Sequence, residues 1–125
     1  MASPFEQQVT FIYVSDLDRS SAFYGGLLEL PLALDQGACR IYKVTKSAFL
    51  GVCTCRETVT QAGVILTLVS EDVEGWSARL EAAGANVEKS VTYNETFNIT
   101  QCFVRDPDGY LVEIQRFHDP AWPSP

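Results

Sequence analysis

With 125 residues, 46% of them hydrophobic and 20% charged, the chain has the size and composition of one globular domain, which sets aside disordered, collagen-like and coiled-coil classes. Sixteen acidic residues against nine basic ones leave a net charge of −7, and the lysines and arginines are scattered, so nucleic acid gives way to cationic or neutral small molecules as the expected partner. No apolar run approaches the about 18 residues of a membrane span, and the start, MASPFEQQ, lacks the basic and apolar stretches of an export signal; a cytoplasmic protein with no membrane partner is expected.

Val9 to Val14 (VTFIYV) is β-branched and aromatic, as a strand requires, and runs into Ser15-Asp16, a helix N-cap. Leu17, Tyr24, Leu27 and Leu28 then recur near helical spacing until Pro31 stops the helix. Three short strands follow over Leu32–Leu34, Ala38–Val44 and Ala48–Cys55, separated by Asp35-Gln36-Gly37 and Thr45-Lys46. In a cytoplasmic setting Cys39, Cys53, Cys55 and Cys102 are expected as free thiols. Cys53 and Cys55, two apart on one strand, stand about 6.6 Å from each other, too far to bridge.

The pattern then repeats. Val64 to Val69 (VILTLV) is a second opening strand, and Ser70-Glu71-Asp72 starts a second helix that Gly84 ends. Val9 and Val64, Val14 and Val69, and Ser15 and Ser70 are each 55 apart in the sequence, which reads as an internal duplication. Val73, Trp76 and Leu80 form the apolar face of the second helix, with Trp76 expected in the core. Strands over Val87–Val91, Asn98–Val104 and Tyr110–Arg116 complete the second half, the last two joined by the tight turn Asp106-Pro107-Asp108-Gly109. The segment His118–Pro125, with three prolines and Trp122, reads as a surface flap, and His118 as a solvated tail residue.

Two tandem β-α-β-β-β units carrying VSDLDRSSAFYGGLLEL (Val14–Leu30) early and FVRDPDGYLVEI (Phe103–Ile114) late resemble the vicinal oxygen chelate superfamily of glyoxalases, bleomycin-resistance proteins and extradiol dioxygenases. The resemblance implies an α+β fold in which the two units build a cupped mixed sheet. It implies one glyoxalase-like domain over residues 1–125, with units at about 8–55 and 63–116 and a tail at 117–125. Metal-using members take a His from each unit's first strand and a Glu from each unit's last. Here those positions fall on Val9, Val64, Gly51 and Glu113. Three of the four have no donor atom, so no metal and no cofactor are expected. Cys53 and Cys55, on the face of Gly51, are the only softer ligands nearby, and packed free cysteines are far commoner than such a site.

If Val9, Gly51, Val64 and Glu113 mark the inner wall of the cup, strand alternation adds Phe11, Tyr13, Phe49, Cys53, Leu66 and Leu68. Such a wall is apolar and aromatic with Glu113 and Tyr13 as its polar groups, the composition of a small-molecule site and equally of a packed core. A carboxylate among apolar residues calls for a partner, with Arg40, Tyr13 or a bound cation as candidates. Two functions follow from the resemblance. One is a metal-independent binding protein of the bleomycin-resistance type, sequestering an aromatic or cationic metabolite or drug, as a homodimer. The other is a glyoxalase- or dioxygenase-like lyase or isomerase using Glu113 as general base or in a non-standard metal site, the one catalytic candidate in the chain.

Overall fold

A computed structural model describes residues 3–54, 57 and 63–125. The chain divides into two compact units, Met1–Thr60 and Gln61–Pro125. Among the described residues there are eight strands in two four-stranded mixed sheets, one per unit, the glyoxalase-like α+β arrangement. No helix among them is long and apolar enough to cross a membrane.

The first unit runs β1 (Gln8–Tyr13), α1 (Leu17–Ser21), a π-helical continuation over Ala22–Leu27, β2 (Leu32–Asp35), β3 (Cys39–Thr45) and β4 (Ala48–Cys53). Its sheet has the order β1-β4-β3-β2, with β1 parallel to β4 and the other pairs antiparallel. Asp16 begins α1 by accepting the Arg19 amide at 3.0 Å, satisfying one of the helix's free donors. The single helix expected up to Pro31 widens midway, where the Leu28 amide reaches back five residues to the Phe23 carbonyl. Within this stretch Gly25 lies against the Tyr42 ring, so close that an added Cβ would lie 2.9 Å from it. Ile12, Val14, Phe23, Tyr24, Leu28, Tyr42, Leu50 and Val52 form this unit's core.

Cys39 and Cys53 are Cα partners across β3 and β4, 4.1 Å apart, and are joined in a disulfide. This corrects the expectation of free thiols at both positions. Spacing along one strand separates Cys53 from Cys55, whereas antiparallel register sets Cys39 directly opposite. Cys55 lies outside the described residues. Cys102 is a free, buried thiol whose pKa is pushed up by that burial.

The second unit runs β5 (Ile65–Val69), α2 (Val73–Ala82), β6 (Asn86–Asn94), β7 (Ile99–Arg105) and β8 (Leu111–Phe117). Its sheet order, β5-β8-β7-β6, repeats the first, again with the opening strand parallel to the last. Asp72 begins α2 by accepting the Gly75 amide at 3.0 Å, and Gly84 ends it at φ +80, a left-handed conformation that costs glycine little. Val73, Ser77 and Leu80, at i, i+4 and i+7, are the buried stripe of α2. Trp76 is only half-buried and carries the Arg79 guanidinium 4.0 Å above its ring, so the expectation of a core tryptophan is corrected.

The two N-caps fix the repeat more closely than the strand residues do. Asp72 follows Asp16 by 56 positions (72 − 16), one more than the 55 read from the valines. The same offset holds at the end of the opening strand, where the Val14 amide donates to the Cys53 carbonyl and the Ser70 amide to the Gln115 carbonyl, so every equivalence in that strand shifts by one.

Candidate functional site on the open sheet faces

In the second unit α2 covers one face of the sheet, where Arg116 of β8 is held by the Glu74 carboxylate at 2.9 and 3.0 Å and by the Glu71 carbonyl at 2.7 Å. Side chains alternate along a strand, so Glu113, Gln115 and Phe117 lie on the opposite face, the one that α2 leaves open. Glu113 is buried there, with 7% of its surface exposed. Its Oε1 accepts the Thr67 hydroxyl at 2.9 Å from β5, its Cα partner in the parallel pair. Its Oε2 accepts the side-chain amide of Gln101 from β7. The Gln101 carbonyl in turn accepts the Asn94 amide at 2.9 Å from β6. A polar file, Thr67–Glu113–Gln101–Asn94, thus crosses all four strands.

Glu113 therefore has two neutral donors and no ion-pair partner among the described residues. Arg40, a candidate partner on sequence grounds, is engaged in the first unit by Asp18 at 3.0 Å, Asp35 at 3.7 Å and the Ser21 hydroxyl at 2.8 Å. Thr67, Gln101 and Asn94 are not singled out by the sequence. The available signal is a run of polar residues, Thr100-Gln101, inside an otherwise apolar strand, which in a buried position demands partners.

Leu66 does not join Glu113. It is the register partner of Val112, whereas Glu113 pairs with Thr67, so Leu66 and Leu68 lie on the face toward α2. Val64 precedes β5 and is exposed. With the repeat at 56, Ile65 and not Val64 stands in the place of Val9. This corrects the placement of Val64, and the substitute is equally without a donor atom.

In the first unit Val9, Phe11 and Tyr13 pair with Phe49, Gly51 and Cys53, and all six share one face. Phe11 opposite Gly51 is the counterpart of Thr67 opposite Glu113, which fixes Gly51 as the structural equivalent of the glutamate. A side chain at Gly51 would overlap the Phe11 ring. Val9 and Phe11 are exposed, Tyr13 and Phe49 half-buried, and Gly51 and Cys53 buried.

The residues at the metal-ligand positions do not fit a metal. Val9, Ile65 and Gly51 offer no donor and Phe11 fills the space beside Gly51, which leaves Glu113 alone to supply one. Cys53 is committed to Cys39, which removes the softer alternative. Among the described residues no three His, Cys, Asp or Glu side chains are grouped as a metal site requires. His118 is exposed, as a tail residue should be, yet its ring is not simply solvated: Nε2 lies 2.7 Å from the buried Thr100 hydroxyl and the ring meets Tyr93 edge-on at 5.6 Å.

The sequence matches the family model of the Glyoxalase/Bleomycin resistance protein/Dioxygenase superfamily over residues 7–114. Among solved structures it is similar to TioX from Micromonospora sp. ML1, with 24% identity, 88% of this chain and 97% of that one covered, and a TM-score of 0.74. It is also similar to a lactoylglutathione lyase from Agrobacterium tumefaciens, at 21% identity, 91% and 96% coverage and a TM-score of 0.72. A glyoxalase-related enzyme from Fulvimarina pelagi matches at 22% identity, 94% and 91% coverage and a TM-score of 0.76. None of the curated proteins matches. Identities this low speak for the fold alone, and the family match over residues 7–114 carries the assignment: the chain belongs to the Glyoxalase/Bleomycin resistance protein/Dioxygenase superfamily.

Proposed function

We propose that this chain is a metal-independent, small-molecule-binding protein of the bleomycin-resistance type, which sequesters an aromatic or cationic metabolite or drug. The observation that carries this reading is the state of Glu113: a buried carboxylate held by a hydroxyl and an amide, with no cation beside it among the described residues. A ligand bearing a positive charge or a strong donor would supply that missing partner. The net charge of −7 favours encounter with such a molecule. The exposed apolar surface of Val9 and Phe11 on the edge strand β1, and of Ile65 and Val69 on the edge strand β5, supports a homodimer that covers it.

As the general base of a lyase or isomerase, Glu113 would take its proton from the substrate with no second acid–base group bonded to it. The groups bonded to it are a threonine hydroxyl and a glutamine amide, neither of which titrates near neutral pH. Those neighbours favour binding without turnover.

The test is a thermal-shift and calorimetric screen with proflavine and benzylamine as cationic aromatics, against benzoate, a phosphate monoester and S-lactoylglutathione as anionic ones. Cationic aromatics stabilise the protein, and Glu113→Gln weakens them by about tenfold. Binding confined to the anionic compounds, or conversion of S-lactoylglutathione, overturns the reading.

A further inference from the structure

Gln115 is the unexplained group of the open face. It lies two residues beyond Glu113 on β8, opposite Gln101 in the register, and is 8% exposed. Gln101 spends its amide on Glu113 and its carbonyl on Asn94. The Gln115 side chain, by contrast, has no hydrogen-bond partner among the described residues. No fully sealed side-chain nitrogen or oxygen among them lacks a partner, so the Gln115 carboxamide reaches just to the surface, where a ligand atom can meet it. At that surface water meets the carboxamide, and a ligand edge that matches its donor and acceptor replaces that water.

The next side chain on the same face is Phe117, and Trp122 lies flat upon it, with ring centroids 3.8 Å apart and planes 15° from parallel. A turn places that ring: the Trp122 amide donates to the Asp119 carbonyl at 3.1 Å and the Ala121 amide to the Asp119 carboxylate at 2.9 Å. The outer surface of Trp122 is open, at 51% exposure. Along β8 this face therefore presents a carboxylate at 113 and a free carboxamide at 115, about 6.6 Å apart along the strand, and then at 117 the ring on which the Trp122 platform is stacked.

A carboxamide offers one donor and one acceptor side by side in a plane. Its complement is the reverse pair, an N–H beside a C=O, as in a lactam, an imide or a pyrimidine edge. An aromatic platform one position further on adds stacking for a flat ring. We infer that the open face of the second unit recognises a planar ligand with an amide- or imide-type edge, paired in plane with Gln115, its ring carried by Trp122. This deepens the binding reading and rests on it, since it names the group that Gln115 would select on a ligand seated at the same face.

The experiment uses phthalimide and uracil as probes, with N-methylphthalimide and 1,3-dimethyluracil as controls that keep the ring and lose the N–H. Trp122 fluorescence is followed in a Trp76→Phe background, and the Gln115 side-chain NH2 resonance, identified by its loss in Gln115→Leu, in 15N spectra. Phthalimide or uracil shifts that resonance and changes Trp122 emission, the N-methyl controls bind about tenfold more weakly, and Gln115→Leu removes the difference between them. The comparison of probes needs no variant, and Trp122→Ala, a change at an exposed tail ring, provides a second one that loses affinity for all four. Equal binding of the N–H and N-methyl probes, or an unmoved Gln115 resonance with all of them, overturns the inference. Cationic aromatics that bind while the imides do not leave the charge reading standing and this one refuted; imides that bind while cations do not refute the charge reading and sustain this one.

Discussion

Phe11 stands directly opposite Gly51 in the parallel pair β1–β4, and its ring occupies the volume that any side chain at 51 would need. In the second unit the same two positions hold Thr67 and Glu113, joined by a 2.9 Å hydrogen bond. One register position thus carries an aromatic ring over bare backbone in one half of the chain and a hydroxyl–carboxylate pair in the other.

Gly51→Ala forces the Phe11 ring aside and should destabilise the protein by about 1–3 kcal/mol, the usual cost of overpacking. Phe11 is 49% exposed, so the ring has somewhere to go and the lower end of that range is expected. In a Phe11→Ala background the three atoms nearest the added methyl are gone and the cost should fall. Urea unfolding of the two single variants and the double variant measures this coupling, and equal costs in both backgrounds would contradict the contact.

Gln101→Leu removes the donor to Glu113 Oε2 and leaves a buried carboxylate oxygen without a partner. A loss of about 1–3 kcal/mol is expected. Thr67→Val, at the more exposed end of the file, should cost less, about 0.5–1.5 kcal/mol. Combining Gln101→Leu with Glu113→Leu should recover part of the first loss, because a missing partner matters only while the charge remains. Additive losses in chemical denaturation would show that the two side chains act independently.

Glu74 illustrates acid sensitivity on the other face of the same sheet. The hydrogen-bonded Arg116 guanidinium lowers its pKa from 4.5 to about 2. A depressed folded-state pKa means that the contribution is present in full above 4.5 and is lost as pH falls toward about 2. Glu74→Gln should flatten the stability profile across that window by lowering stability at neutral pH, modestly since the pair is solvent-exposed and screened, and leave stability near pH 2 almost unchanged. The urea midpoint against pH, at low and high salt, tests this; an unchanged acid limb would assign the sensitivity elsewhere.

The disulfide closes a 14-residue separation between Cys39 and Cys53. Loops of that size give about 3 kcal/mol through restriction of the unfolded chain. Dithiothreitol should lower the melting temperature of the wild type and leave a Cys39→Ser/Cys53→Ser double variant untouched. A double variant as stable as the oxidised protein would mean that the bridge contributes nothing.

Much of this architecture is legible in the sequence because it depends on local chemistry. Asp16 and Asp72 announce the helix starts, Gly84 announces an end, and Asp106 to Gly109 announces the β7–β8 turn. What escapes is whatever depends on register. A repeat of 56, and not the 55 that the matching valines suggest, moves the equivalence of Val9 from Val64 to Ile65, and the pairing of Thr67 with Glu113 leaves Leu66 on the other face. Antiparallel pairing, invisible along the chain, sets Cys39 against Cys53. The close approach of Gly25 to Tyr42 likewise joins residues of two different elements. Glu113 itself is readable as the odd carboxylate among apolar neighbours, but Thr67, Gln101 and Asn94 come from three other strands, and only the assembled sheet lines them up.

The file across β5, β8, β7 and β6 has one more effect, on Glu113 before anything binds. With a donor on each oxygen, the carboxylate is clamped from both sides and its rotamer is already chosen. A mobile side chain at an interface gives up about 0.5–1.5 kcal/mol when a ligand immobilises it; Glu113 has already given up that freedom on folding. On the proposed binding reading, a ligand would meet Glu113 at a fixed point and in a fixed plane, and selectivity would rest on the shape of the arriving molecule and not on adjustment by the protein.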